Sequence, residues 1–169
     1  GSTAANLLSR AGHEVVLLEK DRHPRFHIGE SLLPLNMPIL ERLGVLDEVR
    51  GIGVPKPGAD FTCDDRDDSY RTYHFARSLT ECPEAAVEVR RSEFDEILLR
   101  AAERAGARVF EETRVESIQL AGAKKEKQSD ATTLVSVDKA GTKTTWRPRY
   151  VLDASGRDAL LASQSGWKK

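Results

Sequence analysis

Lys56 stands between two prolines in the run Val54-Pro55-Lys56-Pro57-Gly58-Ala59-Asp60-Phe61. A lysine amine suits proton chemistry: it donates when charged, and burial can hold it near-neutral. No local carboxylate spacing argues for either use, and the residue reads equally as an exposed loop lysine. A second signal is Glu19, which ends the apolar run Val15-Val16-Leu17-Leu18. A dinucleotide-binding strand–helix–strand unit needs a glycine-rich turn, a helix N-terminus aimed at the pyrophosphate, and an acid about 20 residues on for the ribose hydroxyls. Gly1 lies 18 residues before Glu19, where the third glycine of G-x-G-x-x-G would fall. Gly1-Ser2 also reads as a cloning scar. The native reading is favoured because Ser2-Thr3-Ala4-Ala5 continues smoothly into a helix.

The elements that must position these residues follow from periodicity. Ala4, Leu7, Leu8 and Ala11 mark one buried face of a helix over Thr3–Arg10, which Gly12 ends by adopting positive φ. The continuous apolar run from Glu14 to Leu18 predicts a strand buried on both faces of a parallel sheet. Asp21–Pro34 has no clear period and holds two prolines, which predicts a loop. Leu35–Leu43 is predicted helical and closed by Gly44, followed by a short turn through Asp47–Arg50 and a Gly/Pro-rich connection over Gly51–Gly58.

Asp60–Phe75 reads as strand, acidic turn (Asp64-Asp65-Arg66-Asp67-Asp68) and strand. The clearest helix is Ser92–Ala105, with a stripe of Phe94, Ile97, Leu98, Ala101, Ala102 and Ala105. Ser92 is its expected cap, Asp95 favours its positive end, and Gly106 terminates it. Strands are predicted at Arg108–Phe110, Val115–Leu120, Thr133–Asp138, Thr142–Trp146 and Val151–Leu152. The polar loop Ala123–Asp130 joins the second and third of these, and Lys124-Lys125-Glu126-Lys127 reads as a solvated hairpin tip.

Four motifs together resemble one family. Gly1-Ser2-Thr3-Ala4-Ala5 is similar to the end of the glycine turn in flavin-dependent halogenases and their FAD-monooxygenase relatives. Phe26-His27-Ile28-Gly29-Glu30-Ser31-Leu32-Leu33-Pro34 resembles the Gly-Glu-Ser loop beside the flavin in halogenases of phenolic and pyrrolic compounds. A glycine fits there because backbone must approach the isoalloxazine closely; Leu32, Leu33 and Pro34 also read as packing for the next helix. Arg91-Ser92-Glu93-Phe94-Asp95 is similar to the Arg-x-x-Phe-Asp helix start shared with geranylgeranyl-reductase-like flavoproteins. Asp153-Ala154-Ser155-Gly156-Arg157-Asp158 resembles the second FAD-contacting segment, and Ser155 before Gly156 leans toward halogenase-type members.

The resemblance implies an α/β fold: an incomplete glutathione-reductase-type, Rossmann-like FAD-binding domain over 1–169, with 60–90 part of a substrate-side insertion and 113–147 an antiparallel β meander. It implies that Gly1, Ser2, Glu19, Lys20, Arg25, Gly29, Glu30, Ser31, Arg91, Asp153 and Gly156 bind FAD and that Lys56 is catalytic. Arg25 and Arg91 also read as solvated surface cations. In the implied chemistry, reduced FAD, O2 and halide yield hypohalous acid. Lys56 hydrogen-bonds that acid or forms a haloamine, and halogen passes to an electron-rich ring. The implied partners are a small aromatic or pyrrolic substrate and a separate flavin reductase.

The chain departs from the family pattern. The Trp-x-Trp-x-x-Pro segment is absent, Trp146 and Trp167 do not form it, and the late Gly-Asp pair is absent too. The expectation is that the chain is the first third to half of such an enzyme. Without a first strand beside Val15–Leu18, backbone groups should stay unpaired, so the isolated chain is expected to be poorly stable or to complete its sheet by partnering or from further residues of the parent enzyme. Two further readings stand beside halogenation: an FAD-dependent hydroxylase or polyprenyl-type reductase on the same scaffold, and an inactive structural fragment.

Bulk properties narrow the classes. The 169 residues can bury one core. With 26 Lys+Arg against 27 Asp+Glu, charge argues against a nucleic-acid partner or membrane attraction. No apolar run approaches the roughly 20 residues of a membrane span. Cys63 and Cys82 are too far apart for a metal knuckle and, in an expected cytoplasmic setting, read as free thiols. His13, His23, His27 and His74 show no ligand spacing, so no metal is expected.

Overall fold

The computed structural model describes residues 1–64, 67–121 and 131–166. The polar loop 123–130 with its Lys124–Lys127 run, Asp65 and Arg66 of the acidic turn, and Trp167 lie outside the described residues. In chain order the elements are α1 (Ser2–Arg10), β1 (Val16–Leu18), α2 (Asn36–Leu43), α3 (Leu46–Ile52), β2 (Val54–Lys56), β3 (Gly58–Asp64) and β4 (Asp67–His74). Then come β5 (Ala86–Glu88), α4 (Arg91–Arg104), β6 (Arg108–Phe110), β7 (Thr113–Gln119), β8 (Thr133–Asp138), β9 (Lys143–Trp146) and α5 (Leu160–Gln164). They divide into two units: 1–22 with 105–169, and 23–104.

In the first unit β1 and β6 form a parallel pair, Val16 opposite Arg108 and Leu18 opposite Phe110. Neither has a second strand partner among the described residues. Antiparallel β7, β8 and β9 follow in that order, with an irregularity between Val115 and Ser117. Within this meander Leu134 and Ser136 are buried, and Trp146 Nε1 donates to Ser136 Oγ at 2.8 Å.

The expected strand at Val151–Leu152 does not form. No described strand pairs with it, and Leu152 stays largely exposed; an apolar pair without a ladder is not a strand. Helix α1 ends at Arg10, and Gly12 takes φ +85° just beyond it.

The second unit packs α2, α3 and α4 around Met37, Leu40, Leu43, Val45, Val49, Leu98, Leu99 and Ala102, all buried. Gly44 closes α2 in the left-handed conformation, φ +73°. The turn expected over Asp47–Arg50 is instead the helix α3; Asp47 and Glu48 in its first turn and Arg50 in its last match the dipole. Helix α4 starts at Arg91, so Ser92 lies inside the helix rather than capping it. The connection expected over Gly51–Gly58 holds a strand, β2, antiparallel to β5. Pro55 is tolerated there because β2 is an edge. Strands β3 and β4 form a hairpin in which a Cβ on Gly58 would lie 2.5 Å from the Tyr73 carbonyl oxygen, so only glycine fits.

Leu43 is 2% exposed at the centre of this core. Leu43→Ala is expected to destabilise the second unit by about 2–5 kcal/mol, read as a lower midpoint in denaturant unfolding.

Candidate functional site

The site is built from backbone pairing on both sides of β5. On one side Val54 lies opposite Glu88, Pro55 opposite Val87 and Lys56 opposite Ala86. On the other, Ser31 bridges Glu88. Leu32 N–H donates to the Val87 carbonyl at 3.1 Å, and Val89 N–H donates to the Glu30 carbonyl at 2.9 Å. Directly opposed residues share a face, and so do residues two apart on a strand. Lys56, Ala86, Glu88 and Ser31 therefore project from the same face. Two strand spacings separate β2 from the Glu30–Leu32 segment, ~10 Å. Ser31 Oγ donates to Glu88 Oε1 at 3.0 Å. Lys56 is half-buried, with Nζ 5.8 Å from the Phe75 ring centroid, and makes no ion pair among the described residues.

The loop carrying Gly29 is held by the start of α4. Arg91 Nη1 donates to the Ile28 carbonyl at 2.9 Å and to the Gly29 carbonyl at 3.3 Å. Its Nε and Nη2 reach the two Asp95 oxygens at 3.0 and 3.1 Å. Nη2 also lies 2.8 Å from His27 Nδ1. Gly29 has φ +104°, and a Cβ there would sit 3.1 Å from Arg91 Nη1, so conformation and space both call for glycine. Arg25, in the same loop, is half-buried. A cavity of about 400 Å³ opens beside this region, lined by Glu30, Val54, Glu88, Arg90 and Glu93 among others. Three carboxylates against one guanidinium make it an unfavourable place for an anion.

In the first unit the predicted residues also converge. Gly1 precedes α1, and a Cβ on it would meet the Ala154 Cβ at 3.6 Å. The first turn of α1, which includes Ser2, has neither a side-chain cap nor an acidic residue. Open N–H groups with a positive dipole end fit an anionic phosphate. Glu19 caps the turn after β1, accepting from the Asp21 N–H at 2.9 Å. Lys20 pairs with Asp158 at 2.8 Å, which raises the lysine above its usual range.

Asp153 Oδ1 accepts from the Ser155 hydroxyl (2.6 Å) and N–H (3.0 Å), and Oδ2 accepts from the Leu161 N–H (2.8 Å). Ser155 Oγ accepts from the Leu160 N–H, so Asp153 and Ser155 together cap α5. Gly156, directly after Ser155, turns the chain toward α5 at φ +64°.

Sequence reasoning missed His27, Asp95, Glu88 and Asp158 as members of these clusters. The four-residue spacing of Arg91 and Asp95 was a visible signal for an ion pair; a lone Glu88 carried none, and Asp158 was visible only as the end of the Asp153–Asp158 segment. Among the described residues no helix is long and apolar enough to cross a membrane, and Cys82 is a free thiol.

Hydrogen bonds to the Asp153 carboxylate, led by the Ser155 hydroxyl, hold it below its ordinary value near 3.8. Its contribution is therefore complete above that value and lost as pH falls through the lower folded one. The protection factors of the Leu160 and Leu161 amides, corrected for the intrinsic pH dependence of exchange, are expected to fall below about pH 4; Asp153→Asn should remove that acid dependence.

The family described as FAD binding domain matches residues 1–168. The chain is 37% identical to the flavin-dependent halogenase armH1 of Armillaria mellea and 37% identical to the tryptophan 2-halogenase of Chondromyces crocatus. Each match covers 97% of this chain and 30% of the relative, so the chain spans under a third of their length. Among solved structures, a flavoprotein/dehydrogenase of Cytophaga hutchinsonii superposes with a TM-score of 0.87 at 31% identity, covering 98% of this chain and 39% of that one. The flavin-dependent halogenase CmlS gives 0.85 at 34% identity, covering 98% and 29%. The chain belongs to the FAD-binding domain family, and its cofactor is FAD.

Proposed function

We propose that this chain is the FAD-binding part of an enzyme that uses reduced FAD, O2 and halide to halogenate a small aromatic or pyrrolic substrate. The observation that carries the reading is Lys56, half-buried and without an acidic partner among the described residues, on the same face as Ser31 of the Gly-Glu-Ser loop. In the first unit, Gly1, Ser2, Glu19, Lys20, Asp153 and Gly156 are assigned to the phosphate and ribose end of FAD. In the second, Arg25, Gly29, Glu30, Ser31 and Arg91 are assigned to the flavin end. The β3–β4 hairpin, which overlaps 60–90, borders the substrate.

Reduced FAD bound by these residues would, with O2 and halide, supply hypohalous acid. Lys56 then hydrogen-bonds the acid's oxygen and gives it a proton as halogen passes to the ring, so that hydroxide leaves as water. The ring proton returns to the amine. A lysine suits this role because its compact charge lies on a flexible stem and has three donors. A separate flavin reductase keeps FAD reduced, and a cytoplasmic setting suits that supply and the free Cys82 thiol. Similarity to a tryptophan 2-halogenase supports an electron-rich ring as the substrate. A second reading, an FAD-dependent redox enzyme that needs no halide, draws on the likeness to a flavoprotein/dehydrogenase.

In the full-length protein, Lys56→Ala is expected to lower halogenated product by about 10²–10⁴-fold while FAD affinity, followed by flavin fluorescence, stays within about threefold. Product formed at an unchanged rate without halide would select the second reading.

A further inference from the structure

We propose that Asp95 is a positioning residue for the Phe26–Ser31 loop, acting through Arg91 with His27 as the third member of the clamp. The inference rests on the reading that this loop borders the flavin. Neither residue was among the cofactor contacts expected from the sequence.

An arginine has five N–H donors in a rigid planar fork. Asp95 takes two of them from one helical turn away, at 3.0 and 3.1 Å, which fixes the plane of the guanidinium. The remaining edge then aims at Ile28 O, Gly29 O and His27 Nδ1, at 2.9, 3.3 and 2.8 Å. The pair is largely buried, with side chains 20% and 15% exposed, so solvent screens it less than a surface pair.

His27 Nδ1 also lies 3.2 Å from Asp95 Oδ2. A neutral imidazole accepts there from Arg91, which puts its own hydrogen on Nε2.

Pinning two successive carbonyls does more than anchor the loop. In a planar trans peptide the N–H points opposite to the carbonyl. Fixing Ile28 O and Gly29 O toward Arg91 therefore turns the N–H groups of Gly29 and Glu30 away from it. Those two N–H groups make no hydrogen bond among the described residues, whereas the neighbouring Glu30 carbonyl and Leu32 N–H are paired to β5. The clamp thus sets the direction of two free backbone donors next to Ser31. Burial does not hold the loop in its place: Phe26 and Ile28 are 82% and 79% exposed.

The test uses the full-length protein and Asp95→Asn, which keeps the shape of the side chain and removes its charge. Without FAD, backbone amides over residues 26–31 should exchange at least about tenfold faster, while the helices of the same unit keep their protection. With FAD, the dissociation constant should rise about tenfold and the visible flavin band should shift. His27→Ala leaves α4 intact and should give smaller changes in the same direction, so a poorly folding Asp95→Asn does not end the test. Unchanged loop exchange in both variants overturns the clamp. Faster exchange with an unchanged flavin band and affinity overturns the positioning role. Failure of the unsubstituted protein to take up FAD overturns the flavin reading itself, whatever the exchange rates.

Discussion

The second unit depends on the pairing of β5 on both of its edges. Ala86–Glu88 is only three residues long, yet it carries Lys56 on one side and the Gly-Glu-Ser segment on the other. A slip of one residue in either register would turn the chemistry-bearing side chains to the opposite face. Burial fixes the register, since Ala86, Val87 and Val89 are all nearly inaccessible. Gly53 is part of the same constraint. A Cβ there would lie 3.0 Å from the Val87 Cβ and 3.1 Å from the Val49 carbonyl oxygen, so a larger residue would push α3 off the strand. Opposite Lys56 stands Ala86, the smallest chiral residue, which leaves room for the lysine stem to reach Phe75.

The acidic residues of the candidate site are mostly committed to building it. Glu19 caps the turn after β1, Asp153 caps the start of α5, and Asp95 orients Arg91. Each satisfies donors that would otherwise be left open at a turn or helix end. A carboxylate already accepting two or three hydrogen bonds is a poor general base, because protonation would break those bonds. That leaves Lys56 as the side chain in the candidate set with an ammonium free of a carboxylate partner among the described residues. On the proposed reading, the arrangement is a scaffold that binds and orients, with Lys56 as the group for proton transfer.

Long periodic elements were legible in the sequence; short paired ones were not. Helices α2 and α4 showed their apolar faces, whereas α1 was legible as a helix but not in its face: it buries Ala5 and Asn6 and leaves Leu8 exposed. Glycines followed all three at Gly12, Gly44 and Gly106, each at positive φ. The β7–β9 meander was visible from its β-branched runs. Helix α3 was missed because Gly51 and Gly53 imitate a loop, although Val49 is fully buried at its centre. Strands β2 and β5 were missed because three residues carry no period, and a proline within one of them argues against a strand. Val151–Leu152 erred the other way: its composition suited a strand, but nothing described lies beside it to pair with. The site showed the same division. The spacing of Arg91 and Asp95 was local and readable, while the partner carbonyl of Ile28 lies 63 residues earlier in the chain.

The balance of forces on the Phe26–Ser31 loop explains why its polar contacts matter more than their number implies. Ordering each residue costs about 1–2 kcal/mol of backbone entropy. A loop normally offsets this by burying apolar side chains, at roughly 25 cal/mol per Å², but Phe26 and Ile28 are left in solvent. What remains are hydrogen bonds to a charged group, each worth about 1.5–3 kcal/mol, and the backbone bridge to β5. Those terms are of the same size as the entropy they oppose, so the loop sits near the point where one further contact decides its order. A planar ring laid against Ile28 and Gly29 would supply that contact and bury the exposed apolar surface in the same step. The sequence accordingly keeps glycine where the backbone must lie close, and an arginine behind it whose fork fixes two carbonyls at once.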